Sequence, residues 1–290
     1  MPPTITDRIL VTLQRLLPAR LMGRVIYHLT RSEISWQKNA LIRSFSWLYG
    51  VDTEEAEKPV PEGYRSFNDF FTRSLKPEAR TMQRGQDNFI CPADGTVAQT
   101  GKATAGQLLQ AKGMEFSASD LLADAQLAAE LAECHFATIY LAPYNYHRLH
   151  MPLDGKLEQT AFVPGLLYSV NARTAATVPD LYAVNERLVC QFNSARGRFA
   201  MVLVGAMNVA SISTAWSGEI RPAANREVQR QSYIGTGAPE LLQGDYMGHF
   251  NMGSTIVLLG PRDLVGWSAQ LTDGTAVQVG QQLGQLTATT

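Results

Sequence analysis

A glycine stands directly ahead of a serine at Gly253-Ser254, inside the run Gly248-His249-Phe250-Asn251-Met252-Gly253-Ser254-Thr255. The same chain carries Ala93-Asp94-Gly95-Thr96 and His147-Arg148-Leu149-His150. These residue types suit a protein that cuts itself. Gly253 leaves its carbonyl sterically open, and attack by the Ser254 hydroxyl converts the amide to an ester. Removal of the Ser254 Cα proton expels the Gly253 carboxylate, and the resulting dehydroalanine hydrolyses to a pyruvoyl group. Such a ketone takes up an amine as a Schiff base and acts as an electron sink, a capacity that side chains alone lack. A bare Gly-Ser-Thr is also common in loops, so the step gains weight only from its company.

The chain has five histidines, His28, His135, His147, His150 and His249. His28 and His135 read as structural. His147 and His150, three apart, invite a metal, but no His-Glu-x-x-His pattern and no third ligand at a recognisable spacing accompany them. Acid–base work suits them better, since a serine nucleophile needs a base and the base needs an orienting carboxylate. His249, five residues ahead of Ser254, receives no defined role from its spacing.

Further marks come in order: Ser66-Phe67-Asn68-Asp69-Phe70-Phe71 with Arg73 and Leu75-Lys76, Pro92-Ala93-Asp94-Gly95, Gln110-Ala111-Lys112-Gly113, and Tyr146-His147-Arg148-Leu149-His150-Met151-Pro152. Then come Val163-Pro164-Gly165 with Ser169-Val170-Asn171, Asn185-Glu186-Arg187, and Val204-Gly205-Ala206. From about Ser66 to about Leu259 the chain resembles the phosphatidylserine decarboxylases of prokaryotic type, pyruvoyl enzymes that make phosphatidylethanolamine. The resemblance is looser over the N-terminal helices. The family's cleavage signature is Leu-Gly-Ser-Thr, and Met252 replaces its leucine with little change in volume or polarity.

The resemblance implies cleavage between Gly253 and Ser254 into residues 1–253 and 254–290, which stay associated. It implies a covalent pyruvoyl cofactor derived from Ser254 and no metal. Asp94, His150 and Ser254 would form the charge relay of self-cleavage, with His150 as base and Asp94 fixing its tautomer. Asp94-Gly95 alone would read as a turn. His147 would then donate the proton that replaces CO₂. The implied partners are phosphatidylserine and an anionic membrane surface, with a homodimer as an option and no nucleic acid. The implied place is peripheral, on the cytoplasmic face of a bacterial inner membrane. Arg148, Lys112 and the amides around Val163-Pro164-Gly165 are candidate contacts for an anionic substrate. Phe162, Leu166, Leu167 and Tyr168 are candidates for its acyl chains. Solvated charge and core packing compete with those readings.

The 290 residues, 45% apolar and 18% charged, describe an ordinary folded chain. Residues 1–50 hold seven basic residues against two acidic ones, a balance of +5 that leaves −6 for the rest of a chain with net charge −1. The net charge of −1 argues against nucleic acid as a default partner, and a basic head on an acidic body suits contact with an anionic membrane. Cys91, Cys134 and Cys190 form no Cys-x-x-Cys pair, which fits a reducing compartment and buried thiols. No stretch reaches the ~20 apolar residues of a spanning helix, and no secretory signal is recognisable.

The pattern predicts an α+β fold: a helical, basic, membrane-associating region over 1–65 and a β-rich barrel or sandwich domain over 66–290. Ile9, Leu13, Leu16 and Leu17 recur at helical spacing up to Pro18, and Leu21–Leu29 and Ile34–Leu48 continue the style. Ser66–Leu75 reads as a short helix with Ser66 as its cap, and Leu121–Glu133 reads as another. Strands are predicted at Phe89–Cys91, Thr96–Gln99, Phe136–Leu141, Lys156–Phe162, Leu188–Phe192, Phe199–Val204, Met207–Thr214, Ser254–Leu259 and Ala276–Val279. Asp94-Gly95 and Asp273-Gly274 open two similar segments that read as two hairpin units. Three other functions compete. A serine hydrolase would stay whole, and its Gly-x-Ser-x-Gly elbow is missing. A membrane-bound β module would ignore carbonyl reagents. A soluble pyruvoyl amino-acid decarboxylase would not need the basic apolar head.

Overall fold

The computed structural model describes residues 4–16, 19–111, 113–207, 211–220 and 227–287. It is an α+β arrangement that opens with helices α1 (Ile5–Leu16), α2 (Ala19–Thr30), α3 (Ser35–Tyr49) and α4 (Phe67–Phe71). Pro18, expected to end the first helix, lies outside the described residues. α3 stops at Gly50, which takes φ 63° and turns its N–H back to the Ser46 carbonyl. α4 starts where expected, with the Ser66 hydroxyl accepting from the Asp69 N–H at 3.2 Å, but it ends at Phe71 rather than at Leu75.

The largest sheet has nine strands. Its order is Gln229–Ser232, Gly155–Val163, Arg187–Ser194, Gly197–Val204, Ser254–Leu259, His135–Leu141, Gly95–Lys102 and Ala276–Val277, with Glu240–Leu241 also pairing to Gly155–Val163. The order is open, so this sheet does not close into a barrel. Ser254–Leu259 lies near its middle. Ile256 and Leu258 point into one core cluster, and Val257 and Leu259 into another. Burial on both faces explains why this strand is continuously apolar from Ile256 to Leu259 rather than alternating.

A smaller sheet orders Gly218–Ile220, Ile212–Thr214, Tyr246–Phe250 and Arg148–His150. Residues 251–253 carry the chain from this sheet into the large one. A third cluster of Ile42, Val51, Tyr64, Phe67, Phe70 and Phe71 joins α3 to α4, and Phe45 and Met252 pack against it. The packing therefore crosses position 65 and reaches the turn ahead of Ser254.

Two further expectations are corrected. The Leu121–Glu133 helix is two short helices, Ala118–Leu122 and Ala125–Glu130. Ala123 takes φ 51°, and the Asp124 side chain caps the second helix by accepting from the Gln126 and Leu127 N–H groups. The two Asp-Gly segments are not separate hairpins; they pair with each other, Thr96 opposite Ala276 and Gly95 opposite Val277. Gly95 is required by crowding, since a Cβ there would sit 2.5 Å from the Tyr140 carbonyl oxygen. Among the described residues, no helix is long and apolar enough to cross a membrane.

Candidate active site

Ser254 opens its strand opposite Leu141 and is 1% exposed. Among the described residues, its hydroxyl finds no hydrogen-bond partner. A buried hydroxyl without a partner is costly. Gly253 would place a Cβ in open space, with nothing within 4 Å. The residue before it, Met252, takes φ 109°, a region that L-residues rarely occupy. Ser254, Gly253 and Met252 line a cavity of about 220 Å³ together with Phe45 and Tyr49 of α3 and Phe71 of α4.

His147 is fully buried, 4.1 Å from Phe71 between ring centroids. Its Nδ1 lies 2.8 Å from the Asn145 carbonyl oxygen, which can only accept. The proton is therefore on Nδ1, and Nε2 carries a lone pair with no partner. Burial, with the nearby Arg73 cation adding to it against a gain from the Asn145 carbonyl, pushes this imidazole down to about 3. It is neutral at physiological pH.

His150 is engaged on both sides. Nδ1 donates to the Gly244 carbonyl at 2.9 Å, and Nε2 accepts from the Tyr146 hydroxyl at 3.1 Å. Burial lowers its proton affinity; the Gly244 carbonyl opposes this, Arg148 adds to it, and the Asp94 charge opposes it. Asp94 therefore lies close enough to act on His150, but its carboxylate is held elsewhere. Arg80 Nε donates to both Asp94 oxygens at 3.0 Å, and the Val279 N–H donates to Oδ1 at 2.9 Å. The same guanidinium pairs with Glu55 at 2.8 Å. Asp94, His150 and Ser254 are therefore not joined to one another by hydrogen bonds.

The other candidates scatter. His249 pairs across the small sheet with Arg148 and bonds the Tyr246 hydroxyl through Nδ1. Arg148 donates to the Thr72 carbonyl at 2.8 Å and sits 5.2 Å over the Tyr246 ring. Lys112 lies outside the described residues. Phe162 and Tyr168 are buried in the cores, whereas Ser169 and Val170 of the same stretch line the cavity. Sequence reasoning misses the aromatic wall from α3 and α4, and it misses Arg80. Arg73 enters the sequence pattern only as a family mark. That arginine is buried over the Phe70 ring, bonds the Tyr144 carbonyl at 3.3 Å, and leaves Nε and Nη1 without partners. The helical period in α3 and the Phe-Phe pair in α4 are the available signals, but periodicity does not say which cavity a buried ring faces.

The phosphatidylserine decarboxylase family model matches residues 67–285, and a second model, described as PSD, matches residues 9–50. The phosphatidylserine decarboxylase proenzyme of Ectopseudomonas mendocina (strain ymp) is 46% identical over 282 residues, covering 96% of this chain and 98% of that one. That of Alcanivorax borkumensis is 42% identical over 286 residues, 98% of each. That of Nitrosococcus oceani is 42% identical over 283 residues, 97% of this chain and 92% of the relative. This chain belongs to the phosphatidylserine decarboxylase family. It is accordingly an enzyme, a carboxy-lyase of phospholipid biosynthesis whose relatives are made as proenzymes. A hydrolase and a non-enzymatic module are set aside by that membership.

Proposed function

We propose that the chain cuts itself between Gly253 and Ser254 and that the pyruvoyl group so formed decarboxylates phosphatidylserine. The observation that carries this reading is the buried Ser254 hydroxyl, unpartnered, beside an unobstructed Gly253 and a strained Met252. The site fits the group, because a cavity walled by Phe45, Tyr49 and Phe71 already surrounds its future position. Once formed, the pyruvoyl ketone supplies an electron sink for the substrate amine. The rest falls to the chain's own residues.

For the cut, Ser254 Oγ attacks the Gly253 carbonyl while a base takes the hydroxyl proton. His150 is that base, with Asp94 near enough to favour its protonated form. Reaching Ser254 requires His150 to release the Tyr146 hydroxyl. After the Cα proton is lost, the Gly253 carboxylate departs, and hydrolysis of the dehydroalanine frees ammonia. For the decarboxylation, His147, neutral as it stands, first takes up a proton at its vacant Nε2 and then delivers it to the carbon that lost CO₂. Its low proton affinity makes it a ready donor once protonated. The unpartnered donors of Arg73 suit the substrate's anionic headgroup. A second reading exchanges the histidines: of the two, His147 has the acceptor nitrogen without a partner among the described residues, which suits the base of the first step.

The two products stay associated, because Ser254–Leu259 is held between two neighbouring strands of the large sheet. The enzyme works on the cytoplasmic face of the membrane, and a homodimer is compatible with this reading. Intact-mass measurement of purified protein tests it. Masses for residues 1–253 and for a pyruvoyl-headed 254–290 are expected, and the smaller chain should resist Edman sequencing. A wild-type chain that decarboxylates phosphatidylserine while remaining whole would overturn it.

A further inference from the structure

Asn251 stands two residues before Gly253 and is 2% exposed. Its Oδ1 accepts from Asn68 Nδ2 of α4 at 2.9 Å, and its Nδ2 donates to the hydroxyls of Ser211 at 3.0 Å and Ser213 at 2.9 Å. Its backbone N–H donates to the Ser211 carbonyl at 3.0 Å. Both amide hydrogens and one carbonyl lone pair are thus used, on partners from a helix and from the small sheet. The knot extends further. The Ser211 hydroxyl bonds Glu219, which pairs with Arg31 just beyond α2 at 2.9 Å.

Directly after Asn251 the chain turns from one sheet into the other. Met252 is held at φ 109°, and Ser254 is locked into the large sheet opposite Leu141. A conformation so unfavourable for an L-residue persists only when both flanks are fixed. On the downstream side the strand ladder does this. Upstream, the Asn251 knot does.

We propose that Asn251 is a positioning residue for self-cleavage, fixing the scissile turn so that the Gly253 carbonyl is presented to the Ser254 hydroxyl. This rests on the self-cleavage reading above and adds a residue to it. Asn251 touches neither reacting atom; it acts through the turn. Its work is done once the Gly253–Ser254 bond is broken, so it should matter for cutting and not for decarboxylation.

The test is a cleavage time course followed by intact mass for wild type, Asn251→Leu, and a Ser211→Ala/Ser213→Ala double variant. Leucine keeps the branched outline of the side chain, though it is larger, and removes every side-chain hydrogen bond. The expected half-time is at least tenfold longer in Asn251→Leu and intermediate in the serine double variant. In the fraction that has cut, turnover per pyruvoyl group, counted with a hydrazide, should stay within threefold of wild type. Hydroxylamine, which would split an accumulated Gly253 ester into a Gly253 hydroxamate and a free Ser254, should not speed Asn251→Leu, because the ester is not formed. Wild-type half-times in the variants would overturn the proposal. So would a loss of turnover per pyruvoyl that parallels the slower cutting, or rapid release by hydroxylamine. If Asn251→Leu does not fold, the serine double variant, which keeps the asparagine, decides alone. A wild-type chain that never cuts would defeat the underlying reading instead.

Discussion

The two histidines differ in what their second nitrogen does. In His147 it is vacant, and in His150 it is held by the Tyr146 hydroxyl. The expected division of labour gives separable outcomes. His150→Ala or Asp94→Ala should leave the chain uncut on a denaturing gel. His147→Ala should cut but turn over at least tenfold more slowly per pyruvoyl group. The reversed pattern would favour the exchanged reading. Burial also sets a pH dependence. His150 has a proton affinity below the ordinary histidine value of about 6.5, and it must be neutral to take the serine proton. The cleavage rate should rise as pH increases, reach half its maximum below 6.5, and be flat through neutrality. A midpoint above 7 would show that a different group is titrating. Arg80 offers a third residue-scale prediction. It and Asp94 are both nearly buried, and deleting one partner strands the other. Arg80→Met should cost about 3–5 kcal/mol, read as a lower denaturant midpoint in an uncut Ser254→Ala background. A further Asp94→Asn change should recover part of that loss.

At the scale of elements, α4 does the most with the least. It has five residues, a serine cap, and three buried phenylalanines, one of which lies against His147 and the cavity. Phe71→Leu should keep the fold, since large-to-small changes that retain branching lose only part of the 3–5 kcal/mol of a full truncation. It should still lower turnover per pyruvoyl, because His147 loses the ring that fixes its plane; unchanged turnover would remove α4 from the catalytic wall. The sequence makes this helix legible through Ser66 and the aromatic run. It also makes the central strand legible, with bounds at Ser254 and Leu259 that match the structure, because a continuous apolar run is what a strand buried on both faces requires. It does not show that Tyr246–Phe250 and Arg148–His150 are strands. Those segments carry the polar residues of the site, and polarity hides their period. Nor can it show Arg80 beside Asp94, since an ion pair across 14 residues leaves no local pattern. The two Asp-Gly segments look like repeats but are partners, an ambiguity that short similar stretches always carry.

On the scale of the whole molecule, the helix that lines the Ser254 cavity also exposes large apolar side chains. α3 contributes Phe45 and Tyr49 to the cavity while exposing Trp36 and Trp47 at 75% and 85%. Ile9, Leu13, Val25 and Leu29 are exposed on α1 and α2. α1 also reaches the cavity lining, where Gln14 accepts from the Ser169 N–H at 3.0 Å. These helices carry the +5 head of the chain. A two-chain lipid stays in its bilayer, so the cavity must come to the surface, and we propose that these helices bring it there. Each basic residue near an anionic surface contributes about 1 kcal/mol before screening, and interfacial tryptophans add apolar contact. Neither is enough for irreversible insertion. Flotation with phosphatidylglycerol-containing liposomes should therefore be strong in low salt, weaker in high salt, and weaker still with neutral lipid. Deleting all of residues 1–50 is a poor test, because Ile42 and Phe45 belong to the cluster that holds α4 and Met252. Trp36→Glu/Trp47→Glu is better, since both rings are exposed and leave that cluster intact. The double variant should cut itself at the wild-type rate and turn over a short-chain soluble phosphatidylserine normally. It should float several-fold less and lose activity on vesicles in proportion. If it floats like wild type, the membrane face lies on α1 and α2 instead, and Leu13→Glu/Val25→Glu should then show the loss.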